Sequence, residues 1–364
     1  MEGKNNNKKD MVILMGCILL LFLGCLAFFS ARWYITEFGD TGFDSILYTL
    51  FSEMSGTDSA VIRNFLLTAL LPALVAFAVL TLFFWAWQGN GERRYPFTKK
   101  CARALSLVLS AVMLLSAAVT VDFPSYIAYI SQQSTIYQEE YVDPLQAEIT
   151  FPAEKRNLIY IFLESMENTY MSEEVGGGLP YNVMPELTEL VQEEGNINFS
   201  HTEGIGGFYN MTGASWTIGA MVAHTAGIPL KVPVGIDRNE YGQDSFLPGV
   251  NTMTSVLQEA GYYQTLMVGS DANFGGRKPY FEQHGLDRTF DIFTAREVGI
   301  VPPGYFVFWG MEDMYLFDFA KQELVKIAKQ EQPFAFTMLT VDTHHIGGFT
   351  CQLCGSNYEE SYEN

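Results

Sequence analysis

Basic side chains are scarce in this sequence: 364 residues carry 21 Lys and Arg against 41 Asp and Glu, a formal net charge of −20. Gripping a phosphate backbone takes clustered Lys and Arg, so this balance argues against nucleic acid as a partner. Charge of either sign is thin, at 17%, while 48% of residues are hydrophobic. A disordered chain has the opposite balance. There is no internal repeat and no low-complexity tract. The length suits one large domain with extra segments, or two domains.

The composition is uneven. From Thr150 to Asn364 there are 28 acidic against 11 basic side chains, whereas the first 149 residues are nearly neutral and hold almost all the long apolar runs. Three uncharged runs stand out: Met11 to Phe29, Phe65 to Trp87 and Ala104 to Val121, of 19, 23 and 18 residues. Each is long enough for a helix to cross a hydrocarbon core of roughly 30 Å. No small-x-small cleavage site follows the first run, only Ser30-Ala31-Arg32-Trp33, so it reads as a span rather than a signal peptide. Lys4, Lys8 and Lys9 precede it, and Arg93, Arg94, Lys99, Lys100 and Arg103 separate the second and third runs. The loop from Ala31 to Arg63 is acidic instead. The positive-inside rule then predicts a cytoplasmic N-terminus and an extracytoplasmic region after Asp122. Pro72 is expected to kink the second span, and Ile46 to Phe51 reads as a short interfacial segment.

Beyond the membrane part (1–122), residues 123–156 read as an extracytoplasmic arm and 157–364 as an outer domain. Leu158-Ile159-Tyr160-Ile161-Phe162-Leu163 has the continuous apolar character of a strand buried on both faces. Helical spacing follows at Pro185 to Val191. A helix is expected at Ser255 to Ala260, then a strand at Gln264 to Val268, a helix at Leu316 to Lys329 and a strand at Phe334 to Val341. Strands alternating with helices predict an α/β fold with a mostly parallel sheet.

In such sheets, chemistry gathers beyond the carboxyl ends of the strands. The first strand ends in Glu164-Ser165, and the last in Asp342-Thr343-His344-His345. A carboxylate and histidines so placed suit a cation or an anionic substrate, although Glu164 could equally cap the next helix. Between Gly206 and Leu230, Thr212-Gly213-Ala214-Ser215-Trp216-Thr217 leads into the apolar run Ile218 to Ala223. That pattern displays a hydroxyl at a helix N-terminus, where free N–H groups suit a phosphoryl group. An ordinary Ser or Thr cap has the same signature.

Taken in order, Asn157 to Glu164, Gly213 to Ala223 and Thr340 to His345 resemble the membrane-bound phosphoglycerol transferase I and lipoteichoic acid synthase family, a sulfatase-like branch of the alkaline phosphatase superfamily. Phe281 to Asp287 and Trp309-Gly310 with Asp313 add to the likeness. The resemblance implies a membrane-anchored enzyme moving phosphoglycerol from phosphatidylglycerol to an envelope glycan or polyglycerophosphate acceptor. It implies that Glu164 binds a divalent cation, Mn2+ or Mg2+, and that Thr217 is the covalent nucleophile and touches the same metal. Ser215 and Thr212 match less well. His344, with His345 as its alternative, and Asp271 with Arg277 would line the substrate pocket. A metal would lower the pKa of the threonine hydroxyl and stabilise the phosphoryl oxygens.

The likeness has departures. Ile346 stands where a proline usually follows the histidines. Gly275-Gly276 precede Arg277 where lipoteichoic acid synthases carry a bulky aromatic, which favours the glucan-modifying relatives. The family also carries an Asp-His metal-binding pair downstream of the histidine loop, and the sequence stops at Asn364 before one appears, so the chain reads as truncated, with an incomplete metal site. Cys351-x-x-Cys354 lacks the second half of a zinc site, and an oxidising compartment favours a disulfide, mutual or with a further cysteine. A sulfatase-like hydrolase or phosphodiesterase shares the same core, but the Cys/Ser-x-Pro-x-Arg setting of sulfatases is absent around Thr217. An inactive envelope protein retaining the fold is a further alternative.

Overall fold

The computed structural model describes residues 2–39, 42–51, 59–87, 96–131, 135, 139–200, 204–230, 241–242, 245–344 and 348–351. The chain forms two compact units, residues 1–47 with 57–141, and residues 48–56 with 142–364.

In the first unit, the apolar runs lie in helices Glu2–Phe38, Leu71–Trp87 and Pro96–Thr120. The segments Lys9–Phe38, Ala60–Trp87 and Lys99–Thr120 are long and apolar enough to cross a membrane. Pro72 leaves its mark as a π-turn at Leu66–Leu70, with the Leu71 N–H reaching back to the Leu66 carbonyl. Widening that turn accommodates a residue that has no N–H of its own and crowds the carbonyl behind it. The first and third helices approach closely at Gly24, where a Cβ would stand 3.2 Å from the Ser110 Cα. Small residues allow such packing where lipid provides no hydrophobic drive. Arg103 and Asp10 pair at 2.7 Å across the same two helices. The expected interfacial stretch lies in helix Phe43–Phe51, whose Phe43 and Ile46 pack with Ala31, Ala117 and Val121. Within the segment read as an arm, Phe123–Ser131 is helical.

The second unit is built on four parallel strands in the order β1-β6-β4-β5. These are β1 (Leu158–Phe162), β4 (Tyr263–Val268), β5 (Arg288–Phe290) and β6 (Phe334–Leu339); a two-stranded hairpin, β2 (Tyr241–Gly242) with β3 (Ser245–Phe246), lies apart from the sheet. Helix Asp313–Ile327 and helix Ile292–Glu297 cover one face, where Phe290, Phe319, Phe336 and Met338 form the main core. Leu257 of helix Met253–Glu259 and Tyr262 meet Ala335 on the other face. Thr252 and Ser255 cap that helix reciprocally, which fixes its start two residues before the expected Ser255.

One expectation fails. The β1 run is not buried on both faces: Ile159 and Ile161 are exposed while Leu158, Tyr160 and Phe162 are half-buried. Among the described residues β1 has a single neighbour, β6, and helix Thr217–Ala226 covers only one of its faces. By contrast every residue of β6, between β1 and β4, is buried.

Candidate active site

Helix Thr217–Ala226 runs antiparallel to β1. Its far end meets the middle of the strand, where the Tyr160 hydroxyl and His224 Nδ1 lie 3.0 Å apart and the Phe162 ring stands 5.9 Å from the imidazole. Its N-terminus therefore comes to the carboxyl end of β1. There the Thr217 hydroxyl donates to Glu164, at 3.1 Å to Oε2 and 3.4 Å to Oε1. Thr217 is the first helical residue, preceded by the extended Trp216, which makes no side-chain cap. Its hydroxyl is thus turned toward the carboxylate instead of satisfying backbone N–H groups. The reading of Thr217 as a simple cap fails on this point.

Glu164 is held by the strand next door. Its N–H donates to Thr340 Oγ1 at 2.9 Å, and the Thr343 hydroxyl donates to its carbonyl. Ser165 then takes a left-handed backbone, φ +51°, which only a well-supported turn imposes on a non-glycine residue. The Ser165 hydroxyl donates to Glu164 Oε1 at 3.2 Å. Burial pushes the Glu164 carboxyl above the usual carboxylate range; the Thr217 hydrogen bond, the charge of Arg277 and the Ser165 hydrogen bond oppose that shift, and the charge of Asp313 adds to it.

Arg277 is buried, and desolvation brings its guanidinium down to about 10, against the upward pull of Glu164 and Asp271. It bonds backbone: Nε donates to the Phe274 carbonyl at 2.9 Å and Nη2 to the Asp271 carbonyl at 2.7 Å. The Asp271 carboxylate accepts from Asn273 N at 2.9 Å and so shapes the same turn. Asp271 and Arg277 are thus linked through main chain and not as a direct ion pair. His344 stands at the end of β6 with its ring 4.8 Å from that of Trp309. His345 and Cys354 lie outside the described residues; Cys351 is buried.

Two carboxylates that the sequence pattern leaves unassigned turn out to organise the β6 loop. Asp313 accepts from Val341 N at 2.8 Å and Asp342 N at 3.0 Å, while Asp342 Oδ2 accepts from Asp313 N at 3.0 Å. Desolvation raises both acids, Asp342 to about 6, with the charges of Asp313 and Glu312 adding to it. Their partners are backbone amides, which leave no trace in side-chain patterning. The only available sign was an acid immediately before an amphipathic helix and another just past an apolar strand.

Among the described residues no three His, Cys, Asp or Glu side chains cluster as metal ligands. The Glu164–Thr217 pair nonetheless suits a hard divalent cation in kind. It offers oxygen donors, and the carboxylate has hydroxyl partners but, among the described residues, no ion-paired Lys or Arg.

The second unit is a parallel α/β domain with a hydroxyl at a helix N-terminus facing a carboxylate at a strand end. The Sulfatase family profile matches residues 156–364, and the chain belongs to that family. It is similar to phosphoglycerol transferase I of Xanthomonas axonopodis pv. citri, 34% identical over 56% of this chain and 28% of that protein. It is also similar to phosphoglycerol transferase I of Escherichia coli O127:H6, 28% identical over 92% of this chain and 41% of that protein. The chain thus spans well under half the length of these relatives. Among solved structures, the lipoteichoic acid synthase LtaP from Listeria monocytogenes aligns with a TM-score of 0.40 and 20% identity, over 52% of this chain and 41% of that one.

Proposed function

We propose that this protein is a membrane-anchored phosphoglycerol transferase whose nucleophile is Thr217. The observation that carries the reading is the 3.1 Å hydrogen bond from the Thr217 hydroxyl to Glu164, made at the first residue of a helix. The hydroxyl proton is engaged by the carboxylate, leaving the oxygen lone pairs for phosphorus. The free N–H groups of the helix start suit the phosphoryl oxygens. Thr217 Oγ1 attacks the phosphorus of phosphatidylglycerol, the bond to the diacylglycerol oxygen breaks, and the threonine proton passes by way of Glu164 to that leaving oxygen. The hydroxyl of an envelope glycan or polyglycerophosphate then attacks the same phosphorus and frees Thr217. Glu164 and Thr217 would hold a divalent cation, Mn2+ or Mg2+, which supplies positive charge against the phosphoryl oxygens when bound. Arg277 supports the ionised form of Glu164 from its buried turn, and His344 and Asp271, with His345 as alternative, belong to the glycerophosphate pocket.

The naming of the relatives and the order of the motifs support the substrate class. The basic residues flanking the apolar helices support a multi-pass plasma-membrane protein with its catalytic domain outside. Tethering keeps the site near a lipid donor, an advantage in effective concentration. The test is Thr217→Ala in the complete gene product. Release of diacylglycerol from phosphatidylglycerol should fall by roughly three orders of magnitude or more, as on loss of other covalent nucleophiles. Turnover close to that of the unaltered enzyme would refute the reading.

A further inference from the structure

Tyr48, in helix Phe43–Phe51, belongs to the second unit, and the sequence marks its segment only as interfacial. Tyr48 is 5% exposed, and its hydroxyl donates to the Gly275 carbonyl at 2.6 Å across 227 residues of sequence. The other side of the same ring lies 5.7 Å from that of Trp216. Each contact adjoins a residue of the site. Trp216 immediately precedes Thr217. Gly275 and Gly276 form the left-handed turn, φ +66° and +74°, that opens helix Arg277–Gln283 and carries the buried guanidinium. The fit is close: a Cβ on Gly276 would stand 3.0 Å from Tyr48 Oη and 2.6 Å from the Phe246 ring. The two loops that set Thr217 and Arg277 come from different strands' ends, and Tyr48 touches both.

We infer that Tyr48 is a positioning residue that locks the Gly275–Arg277 turn against Trp216, and so fixes the spacing between the Thr217 hydroxyl and the Arg277 charge. The inference rests on the reading of Thr217 as nucleophile. A turn of two consecutive left-handed glycines has little stiffness of its own. A phenol donating to its carbonyl removes that freedom, and the Trp216 indole, tilted 40° against the phenol ring, ties the turn to the helix that bears the nucleophile. Misplacement by about 1 Å costs on the order of 100-fold in rate when reacting groups lose alignment. Because the contacts of Tyr48 with Trp216 and Gly275 bear on the loops that set Thr217 and Arg277, its loss should act on turnover and not on lipid affinity.

The test uses the complete gene product in detergent with phosphatidylglycerol, comparing Tyr48→Ala, Tyr48→Phe and Thr217→Ala. Tyr48→Ala should lower kcat on the order of 100-fold with KM within about twofold. Tyr48→Phe keeps the ring on Trp216, loses one hydrogen bond, and should recover most of that loss, remaining about fivefold below the unaltered enzyme. A Tyr48→Ala enzyme with unaltered kcat, or with its deficit confined to KM, overturns the inference. If Tyr48→Ala does not fold, Tyr48→Phe decides: a fall in kcat of about fivefold at unchanged KM supports the inference, and an unchanged kcat overturns it. An inactive Thr217→Ala beside a fully active Tyr48→Ala removes the positioning role alone. An active Thr217→Ala removes the nucleophile and this inference with it.

Discussion

Strands β6 and β1 lie side by side, paired from Leu158 with Ala335 to Phe162 with Leu339, yet they serve the molecule differently. All six residues of β6 are buried, whereas β1 alternates, with Ile161 42% exposed. The central strand carries the packing energy. The edge strand carries Glu164, and its end is kept in place by hydroxyls that β6 and its loop extend across, Thr340 to the Glu164 N–H and Thr343 to its carbonyl. Among the described residues β6 is the single neighbour of β1, so the geometry at its end depends on these hydrogen bonds.

Substitutions can break that comparison. Phe336→Ala, in the middle of β6, should destabilise the second unit by about 4 kcal/mol in denaturant unfolding, a transfer cost plus a cavity. Thr340→Val keeps the volume but leaves the Glu164 N–H without its acceptor. It should cost about 2 kcal/mol and lower turnover more than Phe336→Ala does in the fraction that remains folded. The β6 loop should also respond to pH. Asp342 has its folded value raised to about 6, so its contribution to stability is complete at low pH and is lost as pH rises through about 6. Allowing for partial exposure, unfolding free energy should fall by about 1 kcal/mol across that range. Asp342→Asn should flatten the profile, and an unchanged slope would remove Asp342 from the account. Smallest of all, Ile161→Ala on the open face of β1 should cost about 0.5 kcal/mol. A cost near that of Phe336→Ala would mean that the edge face is covered in the complete protein.

The two strands also show how far the sequence could be read. Both read as strands, and the largely apolar run over 334–341, set off by Pro333, gives the place of β6 correctly. The same pattern misleads for β1 because burial depends on how many neighbours a strand acquires, which is topology and not composition. β5, three residues of which Arg288 and Thr289 are polar, is too short to register as a period. Thr217 was legible as a helix start from the apolar residues after it. Its partner lies 53 residues earlier in the chain, and only the order of the motifs brought the two together. The Asp313–Asp342 exchange and the Tyr48 hydrogen bond rest on backbone atoms, which a string of side chains does not encode.

The central claim is that one hydroxyl, set at a helix start against Glu164, becomes covalently linked to phosphorus. Peptide mass spectrometry of the complete enzyme, quenched during turnover with phosphatidylglycerol and without acceptor, reads this directly. The account predicts a glycerophosphate adduct on the peptide containing Thr217, fragmenting to that residue and absent from Thr217→Ala. An adduct on Ser215 or Thr212, or steady turnover with no covalent adduct at any time point, would contradict it.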